Sequence, residues 1–279
     1  MIEGIDYIKL DDEDLKKLHE EMLQLLIELD KICQKNNIPY FLAGGTLLGA
    51  IRHKGFIPWD DDIDIHMFRK DYERFCEVCK KELDGEKFFL QNQRSDKHYN
   101  WVYGKLRLKN TSFVRAGQEH IKQKDGIFID ICPIDNLSSR QYKQKISVSI
   151  CKMCRKILWA QVGKKCAGNA YSRLLFKVLS WIPRALTISV FNYFSGIDNK
   201  KDTPFLVCNN VAGHVFKREW YDEAIMAEFE GRLFQIPKGY DDILSSMYGK
   251  YMELPPKEKQ KGHIYASYIK FLDGSELKL

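Results

Sequence analysis

From Asp14 to Lys35 the apolar residues Leu15, Leu18, Met22, Leu25, Leu29 and Ile32 recur three and four positions apart. That spacing draws one stripe and predicts an amphipathic helix, ended by Asn36, Asn37 and Pro39. The period then shortens. "YFLA" at 40–43 reads as a short buried strand, and Gly44-Gly45 as the turn that lets a helix start at Thr46 and close near His53, with Gly55 as its left-handed cap. "DIDIHM" alternates strictly, so Asp62, Asp64 and His66 share one face of a strand and Ile63, Ile65 and Met67 the other.

A helical pattern returns over Lys70 to Leu83, with Tyr72, Phe75, Cys76, Cys79 and Leu83 on its inner side. "KFFLQNQ" and "YNWVYGKLRLK" are strand candidates, the second putting Lys105 and Arg107 on one face and Leu106 and Leu108 on the other. "GIFIDICPID" at 126–135 is a continuous apolar run broken by Asp130, the pattern of a central strand. Two or three helices follow, one broken or started by Pro183. "EFEGRLFQIP" reads as a strand or extended arm, and "YDDILSSMYGKYM" as a helix stopped near Gly249, before Pro255-Pro256 opens the tail.

Alternating strand and helix patterns over 279 residues predict an α/β protein. We expect a mixed β-sheet core flanked by helices in residues 1–138, a helical segment in 139–200 and a part packing on the core in 201–279. The amino-terminal sequence has neither the basic start nor the apolar centre of a signal peptide, and no run of eighteen apolar residues is free of charge, so the expected location is cytoplasmic. The eight cysteines are then expected as reduced thiols.

Charge changes the picture more than composition does. The formal net charge of +6 conceals a segment, from Asn136 to Ile197, with eleven Lys and Arg and no Asp or Glu. Interleaved with Trp159, Phe176, Trp181, Phe191, Tyr193 and Phe194, it suits a surface resting on anionic lipid at the inner membrane face. RNA binding uses the same residue types, but no nucleic-acid-binding motif accompanies them, and lipid is preferred.

The acids carry the candidate chemistry. On a strand, residues two apart lie about 7 Å from each other at the Cα and point the same way, so Asp62 and Asp64 can converge on one divalent ion. Asp130, ionised inside an apolar strand, needs a metal or a cation beside it. If the two strands are neighbours, three carboxylates surround a site for Mg²⁺ or Mn²⁺, with phosphate oxygens filling the remaining positions. Backbone amides at Gly44, Gly45 and Thr46, opening a helix, form an anion site that side chains do not obstruct.

"GGTLLGAIRHKGFIPWDDDIDI" resembles the signature of the LicD family of phosphocholine-type phosphotransferases, and "GIFIDICPID" and "YGKYMELPP" resemble its two later motifs. The resemblance spans roughly residues 14 to 260 and is weakest in the basic segment. It implies a nucleotidyltransferase-like fold, Gly45 and Thr46 as the phosphate turn, Asp62 and Asp64 as metal ligands, and Asp130 as third ligand and base. It also implies a CDP-activated donor such as CDP-choline and a cell-surface glycan acceptor, of the teichoic acid or lipopolysaccharide kind, that could be lipid-linked. A nucleotidyltransferase releasing diphosphate would use the same acids, and a non-catalytic nucleotide-binding module is the third reading.

Other positions keep two readings. Asp60 is either a ligand or a capping group, and Arg52 with His53 either meets phosphate or faces solvent at a helix end. Lys105 and Arg107 are expected to face phosphate. Trp59 and Tyr103 either stack on a base or pack in the core. His66 lies about 13 Å along the strand from Asp62, too far to share an ion with it. Helical spacing accounts for Cys76-x-x-Cys79 and Cys151-x-x-Cys154 without zinc.

Overall fold

The computed structural model describes residues 6–209, 214–262 and 265–279. Helix α1 (Asp12–Lys35) starts where the Asp11 carboxylate accepts the Asp14 amide at 2.9 Å, with Asp12, Glu13 and Asp14 in the first turn facing the positive end of the helix dipole. Its apolar stripe is the predicted one, and Leu18, Met22, Leu25, Leu29 and Ile32 are buried.

After α1 the chain runs β1 (Phe41–Leu42), α2 (Gly44–Arg52), β2 (Asp64–Phe68), α3 (Arg69–Glu82), β3 (Phe88–Gln91), β4 (Gly104–Leu108), β5 (Ser112–Arg115) and β6 (Phe128–Leu137). The basic segment forms α4 (Gln141–Cys166), α5 (Ala170–Leu179) and α6 (Arg184–Gly196), with Pro183 at the start of α6. Then come β7 (Phe205–Cys208), β8 (His214–Lys217), β9 (Ala224–Phe229), β10 (Arg232–Pro237), α7 (Tyr240–Tyr248), β11 (Ala266–Lys270) and β12 (Glu276–Lys278).

A mixed sheet in the order β1-β2-β6-β4-β3 forms the centre, and the far half of β6 pairs with β7, which pairs with β8. β2 and β6 are parallel, whereas β4 and β7 run antiparallel to β6. The alternation read from "DIDIHM" decides which side is core. Ile65, Met67, Ile129 and Ile131 are fully buried in one cluster with the α1 stripe and with Tyr72, Phe75, Cys76 and Cys79 of α3. Asp64, His66, Asp130 and Cys132 are left to the other face.

The same cluster takes in Phe216, Phe229, Phe234, Ile243 and Ile269, so residues after 200 share the core of the sheet. α5 and α6 pack on α4, and Val102, Cys151, Cys154, Leu158 and Phe191 make a smaller cluster there. The CxxC cysteines lie buried on α3 and α4, as helical spacing required.

Two local expectations change. The left-handed residue after α2 is Lys54, at φ 61°, not Gly55. Gly55 is needed for close approach instead: a Cβ there would lie 2.1 Å from Glu230 Oε1, and the Glu230 carboxylate accepts the Phe56 amide. The "EFEGRLFQIP" stretch is a β9–β10 hairpin turned through Glu230 and Gly231, at φ 49° and 70°, the paired positive values that a tight two-residue turn requires.

Candidate active site

Parallel pairing of β2 with β6 sets Asp64 directly beside Asp130, and His66 beside Cys132. Antiparallel pairing of β4 sets Lys105 on the other side of Asp130. Cross-strand partners project from the same face of a sheet, so the two acids and the lysine meet there. Backbone bonds hold the register: the Asp130 amide donates to the Ile63 carbonyl at 2.8 Å, and the Ala43 amide to the Asp64 carbonyl at 2.9 Å.

α2 opens against these acids. Gly44 has φ +53°, and a Cβ on it would stand 3.0 Å from Asp64 Oδ2; a Cβ on Gly45 would stand 2.3 Å from Asp60 Oδ2. Two carboxylates therefore cover the first turn of a helix whose leading amides have no partner within the helix. Only residues without side chains let the acids come so close.

The cleft above them has a volume of about 750 Å³, within the range of small-molecule sites. Gly44, Gly45, Asp60, Asp62, Asp64 and Arg52 line it, and Tyr248, Lys250 and Lys261 face them from the carboxy-terminal part. Asp61 is covered by the same part, since a Cβ on Gly262 would meet Asp61 Oδ2 at 2.5 Å. Tyr248 leaves 44% of its surface at the rim, yet burial of its hydroxyl, and then the charges of Asp64, Asp60 and Asp62, push its ionisation well upward. One phenol thus senses three acids.

Lys105 is almost wholly enclosed and pairs with Asp130 through Nζ. Burial pulls its pKa down to about 7, against the opposing attraction of Asp130. Its ammonium lies 3.4 Å from the centroid of the Phe128 ring, and the guanidinium carbons of Arg107 and Arg115 lie 5.0 and 5.2 Å from the same centroid. For Arg115, burial lowers the pKa, but the charges of Tyr103, Asp130 and Asp62 outweigh it and the net shift is upward. A second cation is thus held beside the acids, and its Nε is buried without a hydrogen-bond partner.

The structure sorts the residues singled out from sequence. Gly44, Gly45, Arg52, Asp62 and Asp64 line the cleft; Asp130 sits beside Asp64 with Lys105 on it. No group of three or more His, Cys, Asp or Glu side chains is gathered at metal-binding distance among the described residues. Asp130 stands beside Asp64 with its carboxylate paired to the buried Lys105 Nζ. Thr46 is fully engaged in the frame, its hydroxyl accepting the Asp64 amide at 2.9 Å, so it positions Asp64 rather than opening onto the cleft. Arg107 is buried and donates to Gln91 Oε1 at 2.6 Å and to the Gly126 carbonyl at 2.5 Å, which makes it a strap between strands and not a phosphate contact. Arg52 donates to the Tyr251 carbonyl at 2.7 Å and to the Glu253 carbonyl at 3.3 Å, fastening the cleft rim. His66 donates to or accepts from the Tyr221 hydroxyl through Nδ1 at 3.0 Å. Trp59 lines the cleft, and Tyr103 is buried.

Arg115, Tyr248, Lys250 and Lys261 were missed. Arg115 ends a short apolar run, "SFVR", and a lone cation closing a strand was the available signal; the others lie within or just after "YGKYMELPP", noted only as a motif.

The donor set fits Mg²⁺ or Mn²⁺: two carboxylates two residues apart in a cleft floored by helix amides, all oxygen ligands, with space for phosphate oxygens.

A glycine turn under paired acids, in a cleft of about 750 Å³ on a mixed sheet, makes this an α/β protein with an acidic ligand cleft. Comparison with known proteins is specific. Residues 37–152 match the family model described as LicD/FKTN/FKRP, nucleotidyltransferase domain. The chain is 33% identical over 273 residues to the lipopolysaccharide cholinephosphotransferase LicD of Haemophilus influenzae, covering 90% of this chain and 98% of that protein. It is 42% identical over 81 residues to the human ribitol 5-phosphate transferase FKRP, covering 23% of this chain and 16% of that protein. The chain belongs to the LicD family and is a transferase.

Proposed function

We propose that this transferase moves phosphocholine, or a related phospho-alcohol, from a CDP-activated donor to a sugar hydroxyl of a cell-surface glycan precursor. The observation that carries the reading is the seating of Asp60 and Asp64 over the first turn of α2, with Asp62 in the same cleft and Asp130 beside Asp64. The likeness along nearly the whole length of a lipopolysaccharide cholinephosphotransferase supports phosphocholine as the transferred group and a glycan as acceptor.

Asp62 and Asp64 would hold Mg²⁺ or Mn²⁺, which when bound neutralises phosphate charge and makes the phosphorus easier to attack. The chain supplies the rest. Gly44 and Gly45 leave room for Asp64 and Asp60 at the first turn of α2, whose positive end offsets the charge of these acids and of the diphosphate. Lys105 keeps Asp130 in place and offsets its charge, and Asp130 takes the proton of the acceptor hydroxyl at a carboxylate oxygen. The new bond joins the acceptor oxygen to the choline-bearing phosphorus. The bond from that phosphorus to the cytidylate oxygen breaks, and CMP leaves with the electron pair. Lys250 and Lys261, which line the cleft, would face the negative charge of the departing nucleotide, and Arg115 offsets the charge of the acids behind it.

Incubation with a panel of CDP-alcohols and Mg²⁺, following CMP release and product mass, tests the proposal. A CDP-alcohol should yield CMP and an acceptor heavier by one phospho-alcohol. Transfer of a whole nucleoside monophosphate, with diphosphate released from a nucleoside triphosphate, would overturn it.

A further inference from the structure

Over half of the large apolar side chains that are exposed among the described residues lie within positions 142–197, about a fifth of the chain. The densest group is on α5 and the start of α6. α5 has no buried residue at all. Its inner side rests on α4, where Phe176 meets the Trp159 ring edge-on at 5.0 Å between centroids. Its outer side presents Tyr171, Leu174 and Val178, three and four positions apart on one helical stripe, with Tyr171 78% and Leu174 62% exposed. Trp181, 75% exposed, continues that stripe to the bend, and Ile182 and Leu186 extend it around the corner into α6. The two helices meet at 87°, so this corner projects as an elbow.

Charge decides what covers this face. Arg173 and Lys177 are exposed beside the stripe, and the whole segment from Asn136 to Ile197 carries no acid to oppose them. A second copy meeting the face by two-fold symmetry would set like charges against each other. A nucleic acid would satisfy the cations and leave Leu174, Val178, Ile182 and Leu186 in water. A bilayer with anionic headgroups satisfies both sets at once, the apolar side chains entering the acyl boundary and the cations staying at the phosphates. Among the described residues no single helix is long and apolar enough to cross a membrane; α5 and α6 pass that test only as a pair bent by 87°, and both pack on α4, which leaves the elbow's outer side to meet a bilayer at its interface.

We infer that the α5–α6 elbow docks this transferase on an anionic lipid surface, with Trp181, Ile182 and Leu186 inserted and Arg173 and Lys177 on the headgroups. This goes beyond the transfer reaction and does not depend on which donor is used. It would hold the enzyme where a lipid-linked acceptor is presented.

The test is flotation of the full chain with phosphatidylcholine vesicles, alone or with one third phosphatidylserine. The wild type should float with the mixed vesicles, remain unbound with the neutral ones, and be released by salt. Arg173→Glu with Lys177→Glu should lower partitioning at least about 25-fold, from roughly five-fold for each cation lost. Trp181→Ser with Ile182→Ser should abolish binding while circular dichroism stays unchanged, since both side chains are exposed. Lys87→Glu with Lys97→Glu, outside the segment, should bind as the wild type does. Equal flotation with and without phosphatidylserine, or binding unaffected by the elbow variants, overturns the inference. So does dimerisation in sedimentation experiments that the Trp181→Ser, Ile182→Ser variant abolishes.

Discussion

Asp64 answers to three neighbours at once: the Thr46 hydroxyl fixes its amide, the absent Cβ of Gly44 makes room for its carboxylate, and Asp130 stands beside it across the parallel ladder. Removing its charge should leave that frame standing. Asp64→Asn or Asp62→Asn is expected to lower kcat about a hundredfold or more with the urea midpoint unchanged, in line with losing one charge-stabilising group. Near-normal turnover in either variant would sink the two-acid assignment. Lys105 behaves differently because it is buried on its partner. Lys105→Met leaves the Asp130 carboxylate enclosed without its cation, and chemical denaturation should show a loss of about 3–5 kcal/mol; adding Asp130→Leu should restore most of the stability and none of the activity. Alternation made the shared face of Asp64 and His66 legible, whereas Asp62, expected on the same strand, lies just before β2 and lines the same cleft. The pattern could not reveal that Lys105 and Asp130 pair, since that depends on register between strands 25 positions apart, nor that Arg115 arrives from a separate small sheet. Arg107 differs because a polar side chain near a site is as useful for bracing backbone as for meeting ligand, and the residue type does not distinguish the two.

Elements with one strong period were read closely. α1 was placed within two residues at its start because its stripe is long and its end is marked by Asn36, Asn37 and Pro39. Leu29, fully buried on that stripe, supports the face of the sheet opposite the cleft, so Leu29→Ala should cost about 2–5 kcal/mol by urea titration with KM unchanged. α2 was read less well at its ends. Its cap comes from Lys54 in a left-handed conformation, a role that a glycine two residues past the helix ordinarily takes, while Gly55 is reserved for Glu230. The far end of α2 carries Arg52, whose hydrogen bonds to the Tyr251 and Glu253 carbonyls hold the rim that contains Lys250 and Leu254. Arg52→Ala is expected to raise KM for the donor and speed protease cutting between Tyr251 and Pro255, with the core midpoint little changed. An unaltered KM would mean that the rim does not shape the donor site.

At the scale of the molecule, one face of a central sheet is sealed by α1 and α3 and the other is kept open for charge. Acids just before and at the start of β2 and a rim from beyond residue 240 meet in the cleft, and cations from β4 and β5 stand behind those acids, although these residues are scattered over about two hundred positions. The α/β class was legible because strand and helix periods alternate; the joining of residues after 200 to the same core was expected only as packing, and the cations they bring to the cleft were not. The basic segment was visible as charge, but its exposed apolar elbow needed the helices to be packed on α4 before its outer side could be identified.

Asp62 and Asp64 are proposed to form a divalent-metal site completed by donor phosphates. Electron paramagnetic resonance titration of Mn²⁺ into the chain, with and without CDP-choline, measures this without turnover. The account requires Mn²⁺ to bind more tightly when CDP-choline is present and that gain to disappear in Asp64→Asn. Mn²⁺ affinity indifferent to the donor, or unchanged by the substitution, would contradict it.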